Sequence, residues 1–209
     1  MKAILARNPH KEAEKASTTR AVGVIGVKGG VGTSTVAANL AAALMQAGEE
    51  FDAVPYGTEA LGVMRIEKGH CTANELTGQT TAHNIGLGRM VSQKKECIGN
   101  VLSQREELIR EDDVKLMGLR PVDRSKGLIA GSHFITKGDE ATMANDQGWM
   151  TSVAWSPNLG HSIGLGFVKS GDQRKGEVIR AVSPVHGTEM DVEIVSAHFI
   201  DPEGERLRG

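Results

Sequence analysis

Two stretches decide the reading of this chain: Asn145-Asp146-Gln147-Gly148-Trp149-Met150-Thr151-Ser152 and Ser156-Pro157-Asn158-Leu159-Gly160-His161-Ser162-Ile163-Gly164-Leu165-Gly166-Phe167. They carry two of five short β-rich runs, at residues 115–119, 150–155, 162–168, 177–182 and 190–195. Gly148, Gly171, Asp172 and Gly187 punctuate these runs at hairpin-like spacing, which predicts antiparallel strands over the last hundred residues.

Composition bounds the rest. The chain has 209 residues, enough for one large domain or two small ones with a real core. At 39% hydrophobic and 24% charged residues it reads as a folded globular chain. Its 26 glycines and 3% aromatics fit ligand-holding loops or a barrel with tight corners, and fit a nucleic-acid platform poorly. A net charge of −2 and a pI near 6.4 give no electrostatic drive toward nucleic acid or anionic lipid. Cys71 and Cys97 have no second cysteine or histidine at metal-ligand spacing, so they read as free thiols, with no metal expected. No apolar run approaches the ~20 residues that span a bilayer, and residues 1–20 lack the apolar core of a secretory signal. A cytoplasmic protein without membrane partners is expected.

Residues 1–20 read as a polar tail. Ala21-Val22-Gly23-Val24-Ile25-Gly26 is a short β-type run, and residues 34–47 (STVAANLAAALMQA) have high helix propensity, with Gly48 at the C-cap position. Between them lies Gly26-Val27-Lys28-Gly29-Gly30-Val31-Gly32-Thr33-Ser34-Thr35. Glycines ahead of a helix N-terminus can turn backbone N–H groups toward phosphate oxygens. The segment resembles the deviant Walker-A loop of chromosome-partitioning and septum-placement ATPases, whose mark is the early lysine, here Lys28. That resemblance implies ATP and Mg²⁺ on Lys28, Gly29, Gly30, Gly32, Thr33 and Ser34. The departures are Thr33, where the motif puts a second lysine, and the absence after Gly48 of the further strand–helix alternation that such an ATPase needs.

From about Glu49 onward a different pattern holds. Pro55-Tyr56-Gly57-Thr58-Glu59-Ala60-Leu61-Gly62-Val63-Met64-Arg65-Ile66-Glu67-Lys68-Gly69-His70 opens on a turn signal, enters a short helix and ends in an alternating Val-Met-Arg-Ile-Glu. Further matching strings are Thr80-Thr81-Ala82, Leu87-Gly88-Arg89-Met90-Val91, Lys94-Lys95, Gly118-Leu119-Arg120-Pro121-Val122-Asp123, the two stretches quoted first, and Asp201-Pro202-Glu203-Gly204-Glu205-Arg206-Leu207. In this order they resemble the C-terminal part of heterotetrameric sarcosine oxidase alpha subunits, relatives of the glycine-cleavage T-protein and of dimethylglycine dehydrogenase.

The resemblance implies an α+β chain. Its pieces would be a tail (1–20), a strand/P-loop/helix fragment (21–48), part of a folate-binding domain (49–111) and a C-terminal antiparallel β-barrel of aminomethyltransferase type (112–209). It further implies tetrahydrofolate as the ligand that accepts a one-carbon unit from an oxidised N-methyl amine, with other sarcosine oxidase subunits as partners. A carboxylate suits the donor-rich pterin edge and an arginine suits the glutamate tail. Tyr56, Arg65, Glu67 and Arg89 are the expected folate-binding residues. Arg65 and Glu67 also fit the solvent face of a half-buried strand, Tyr56 a turn buttress and Arg89 a helix cap. The family's acid/base aspartate and pterin-gripping acid are expected upstream of the matched segment, with residues 42–48 as the join. Three readings stand side by side: a folate-binding aminomethyltransferase module, a P-loop nucleotide binder with an appended barrel, and a non-catalytic truncated or chimeric scaffold.

Overall fold

The computed structural model describes residues 2–3, 22–23, 32–92, 94–96 and 98–208. Its contacts divide the chain into two compact units, one up to Thr58 and one over Glu59–Arg208. In the first unit β1 (Lys2–Ala3) pairs antiparallel with β2 (Val22–Gly23), and α1 spans Thr33–Gly48. Of the P-loop candidates, Lys28, Gly29 and Gly30 lie outside the described residues. Gly32 takes a left-handed φ of 76° immediately before Thr33 and Ser34 open α1, and no side chain caps that end. The helix stops later than the sequence predicts. Gly48 keeps a right-handed conformation, a 3₁₀ turn over Glu49–Phe51 continues the chain, and the left-handed residue is Asp52. Residues 42–48 are therefore helix.

The second unit opens with α2 (Thr58–Lys68). Turns and single 3₁₀ turns make up the described residues between 69 and 113. Six strands follow: β3 (Val114–Pro121), β4 (His133–Ile135), β5 (Asp146–Ser156), β6 (His161–Lys169), β7 (Val178–Ser183) and β8 (Thr188–Val195). They close into an antiparallel barrel in the order β3-β6-β5-β4-β7-β8, with β8 returning to β3. A short α3 (Glu205–Arg208) follows. All five predicted β runs fall on strands. The three-residue β4 does not stand out in the sequence, because so short a strand is specified by its two neighbours rather than by its own pattern.

Strand β7 alternates buried and half-exposed residues, as a barrel wall with one wet face should. Strand β6 differs, with eight of its nine residues buried. The alternation Ile163-Gly164-Leu165-Gly166-Phe167 explains this. A Cβ on Gly164 would meet Met150 and Leu128, and one on Gly166 would meet the Phe134 ring at 3.0 Å, so the glycines leave room for the barrel core. Phe134, Leu119, Ile179, Val192 and Ile194 fill that core and are fully buried. Ile163 and Leu165 belong to a second cluster with Ile66 of α2, so the outer face of β6 is covered as well.

Gly148 was expected to punctuate the runs but sits within β5, opposite Val168. Its φ is 132°, and a Cβ there would lie 1.9 Å from the carbonyl oxygen of Phe167. Close strand approach, not a turn, demands this glycine. Gly187, at φ 61°, does form the β7–β8 turn. Gly148→Ala is expected to cost more than about 2 kcal/mol in urea unfolding, through both strain and overpacking. Gly78→Ala, where a Cβ meets nothing within 4 Å, should stay within about 0.5 kcal/mol of the parent.

Candidate functional site

The candidate site lies where α2 meets the barrel. Val63, Ile66 and Glu67 turn inward at helical spacing. This corrects the reading of residues 63–67 as an alternating strand: Arg65 and Glu67 lie on a helix and are drawn toward the protein, not presented to solvent. Gly69, at φ 74°, ends the helix. Its N–H donates to the Ile66 carbonyl at 3.0 Å and the His70 N–H donates to the Arg65 carbonyl at 2.7 Å, a Schellman motif.

Arg65 is tied to the barrel through Glu75, which is fully buried. Glu75 Oε2 accepts from Arg65 Nη1 at 3.0 Å, from the Thr72 N–H at 2.9 Å and from Thr72 Oγ1 at 3.3 Å. Its Oε1 accepts from Ser152 Oγ at 2.6 Å and from Thr151 Oγ1 at 2.7 Å. Arg65 Nη2 donates to Ser152 Oγ at 2.6 Å, and Asn74 Nδ2 donates to the same oxygen at 3.3 Å. Neighbouring strand residues normally face opposite ways. A register shift between Met150 and Ser152 brings both Thr151 and Ser152 to Glu75.

A second clamp sits two residues on. The Glu67 carboxylate, 4% exposed, accepts from Ser156 Oγ at 2.5 Å and from Asn158 Nδ2 at 3.0 Å to each oxygen. The Glu67 carbonyl accepts from the N–H groups of Phe199 and Ile200. Lys68 pairs with Asp201 at 2.9 Å, and its carbonyl accepts from His198 Nδ1 at 2.9 Å. Helix α2 is thus fastened to β5, to the turn before β6 and to the segment after β8.

Burial pushes the Glu75 carboxyl up. The hydrogen bonds from Ser152, Thr151 and the Thr72 N–H, with the Arg65 charge, outweigh it and hold the group below the usual carboxylate range. Asp201 is also held low, chiefly by the Lys68 hydrogen bond. The Cys71 thiol is pushed up by burial and by the Glu75 charge, so it is a poor nucleophile. Both buried carboxylates of the junction accept several hydrogen bonds from the surrounding protein. Arg65 retains capacity: its side chain is 14% exposed and three of its hydrogen bonds are to protein, from five N–H donors.

Arg65 and Glu67 share the α2–barrel junction, and Arg89 lies exposed on a 3₁₀ turn over Gly88–Met90. Tyr56 is half-buried and belongs to the first unit. Sequence reasoning missed Glu75, Thr151, Ser152, Ser156 and Asn158. The only available signal was the consecutive polar pair Thr151-Ser152 inside a β-rich run, which a bulge explains.

Comparison with known proteins agrees with this architecture. Residues 31–95 match the GCVT N-terminal domain and residues 115–201 match the glycine cleavage T-protein C-terminal barrel domain. The first match begins just ahead of α1, so it takes in the helix that the sequence reading gave to a P-loop fragment. The chain is 41% identical over 170 residues to the sarcosine oxidase subunit alpha of Rhizobium meliloti (strain 1021), covering 81% of this chain and 17% of that one. It is 31% identical over 163 residues to the aminomethyltransferase of Halothermothrix orenii, covering 76% and 42% respectively. The crystal structure of glycine cleavage system aminomethyltransferase T from Bartonella henselae superposes with a TM-score of 0.59 at 19% identity, over 81% of this chain and 45% of that one, which shows a shared fold. The chain thus spans less than half the length of these relatives. No helix among the described residues is long and apolar enough to cross a membrane.

Glu75 carries its stabilising charge only when ionised. Its folded pKa lies below its unfolded one, near ~4.3, so its contribution is fully present above that pH and is lost as pH falls through the lower, folded value. Urea unfolding across pH 3 to 7 should therefore show stability dropping below about pH 4.3, with a shallower drop in Glu75→Gln. Neutralising Glu75 leaves the Arg65 guanidinium without its counterion, so this variant should also lose about 3 kcal/mol at pH 7.

The two domain matches, the closed six-strand barrel and the identity to sarcosine oxidase alpha subunits together mark residues 31–201 as an aminomethyltransferase-like segment of the glycine cleavage T-protein type.

Proposed function

We propose that the chain is a sarcosine oxidase alpha subunit-like module that binds tetrahydrofolate and accepts a one-carbon unit from an oxidised N-methyl amine, alongside other subunits of such an oxidase. The observation that carries this reading is Arg65. It is a guanidinium held rigidly by Glu75 and Ser152 in a chain whose relatives include aminomethyltransferases, and it keeps N–H donors for a ligand. A pre-oriented guanidinium suits a carboxylate such as the one ending the folate tail. Folate would supply the nucleophilic nitrogens that capture the one-carbon unit.

In this reading Arg65 contacts the ligand. Glu67 acts as a positioning residue, since its oxygens are occupied by Ser156 and Asn158 and what it fixes is the direction of α2. Arg89, exposed and without a hydrogen bond or ion pair among the described residues, is a second candidate for the anionic tail. Tyr56 remains a candidate on the first unit. Both buried carboxylates of the junction are engaged by protein donors, and we assign binding rather than turnover to these residues.

Calorimetric titration of the chain with tetrahydrofolate tests the reading. Saturable binding is expected, with Arg65→Ala weakening it about tenfold, or about 1.4 kcal/mol, while Glu67→Gln lowers both stability and affinity. Absence of folate binding would sink the proposal and leave the resemblance as one of fold alone. Parallel titration with ATP and Mg²⁺ addresses the P-loop reading.

A further inference from the structure

A second cleft in the Glu59–Arg208 unit is lined by none of Arg65, Glu67 and Glu75. It has a volume of about 290 Å³ and lies between the turn at residues 83–86, strand β3, the 3₁₀ turn after β6 and the segment after β8. His83, Lys115, Lys175 and His198 bring cationic or protonatable groups to its wall, and Asp172 is the one carboxylate among them. With both histidines neutral the balance is two lysines against one aspartate, net +1; with both protonated it is net +3.

The lysines are conspicuous because neither has an ion-pair partner among the described residues, although acids lie close by in sequence. Asp113 accepts from Asn84 Nδ2 at 2.9 Å and from the Val114 N–H at 2.7 Å. Glu177 is taken by Arg174 through two hydrogen bonds of 2.7 Å, and Asp201 is taken by Lys68. Glu177 and Asp201 are thus ion-paired elsewhere and Asp113 is held by neutral donors, so Lys115 and Lys175 reach the cleft without an ion pair among the described residues.

Both histidines are held in place. His198 Nδ1 donates to the Lys68 carbonyl, and a Cβ on Gly69 would lie 2.6 Å from that same nitrogen. With Nδ1 committed, Nε2 is the ring position left for a ligand, and it becomes an N–H donor when the ring is protonated. The His83 ring packs on Gly88, where a Cβ would lie 2.5 Å from His83 Nδ1. Leu116, Met117 and Ala197 add apolar surface to the same cleft. The volume is that of roughly ten waters at ~30 Å³ each, which leaves room for an organic group beside an oxyanion.

We propose that this cleft binds the phosphate group of a small ligand, with Lys115 and Lys175 supplying charge and His83 and His198 supplying directed donors. Lysine serves phosphate as a point charge where no planar fork is needed. The site is separate from the one proposed for folate and does not depend on it.

The test follows the histidine ring resonances by NMR while the whole chain is titrated with inorganic phosphate, and in a second arm with glycerol phosphate. Saturable shifts are expected at His83 and His198, with His70, His133, His161 and His186 unmoved. The double variant Lys115→Ala/Lys175→Ala should bind at least tenfold more weakly while keeping its melting temperature. The exposed single change Lys175→Ala, which does not touch the barrel core, should weaken binding in the same direction if the double variant fails to fold. Tighter binding of glycerol phosphate than of inorganic phosphate identifies an organic phosphomonoester as the ligand, and equal binding identifies the free anion. Linear, non-saturating drift of the ring resonances, or affinity unchanged in the lysine variants, overturns the proposal. Either result leaves the folate titration unaffected.

Discussion

The Glu75 carboxylate is the constraint on which the second unit depends. It is fully buried and collects donors from α2, from the turn after it and from two consecutive residues of β5. An isolated buried carboxylate would be prohibitively costly in an apolar interior, so the site persists only because every oxygen lone-pair direction meets a donor. The same requirement fixes geometry. Arg65 can satisfy Glu75 and Ser152 together only if α2 lies at one rotation on the barrel, and Glu67 then reaches Ser156 and Asn158 one strand-end further along.

The barrel answers to a different constraint. Closure of six short strands puts β6 under α2 on one side and around a filled interior on the other. Large residues at 163, 165 and 167 alternating with glycines at 164 and 166 meet both demands, because the glycines leave room for Met150 of β5 and Phe134 of β4. Trp149 and Phe167 lie against each other with ring centroids 5.4 Å apart, a tilted contact that adds a modest term to the burial. Polar contacts are concentrated at the helix junction and apolar packing in the barrel.

These two constraints differ in how far they can be read from sequence. Five of the six barrel strands were legible as short β-rich runs punctuated by glycine, and the three-residue β4 was not. The family match was legible from ordered strings of residues. The helical character of residues 63–67 was not, because Val-Met-Arg-Ile-Glu satisfies a two-residue period as well as a helical one, and only its continuation of the helix begun at Thr58 distinguishes them. The 3₁₀ turn that carries the chain from α1 to a left-handed Asp52 was not legible either, because glycine at 48 is the commoner terminator and a left-handed aspartate carries no comparable signal.

By itself the sequence determined the antiparallel strands and the aminomethyltransferase-like segment and singled out Arg65 and Glu67 as candidates, since periodicity, glycine spacing and residue strings are local properties of the chain. Only the tertiary structure decided what those two side chains do. Their partners lie at Glu75, Ser152, Ser156 and Asn158, as far as 91 positions away, and a bulge in β5 presents two of the hydroxyls. That the lysines at the second cleft have no ion pair among the described residues is likewise a tertiary fact. Whether a lysine keeps its charge for a ligand depends on which carboxylates already have partners, and that is settled by the folded arrangement of segments distant in sequence.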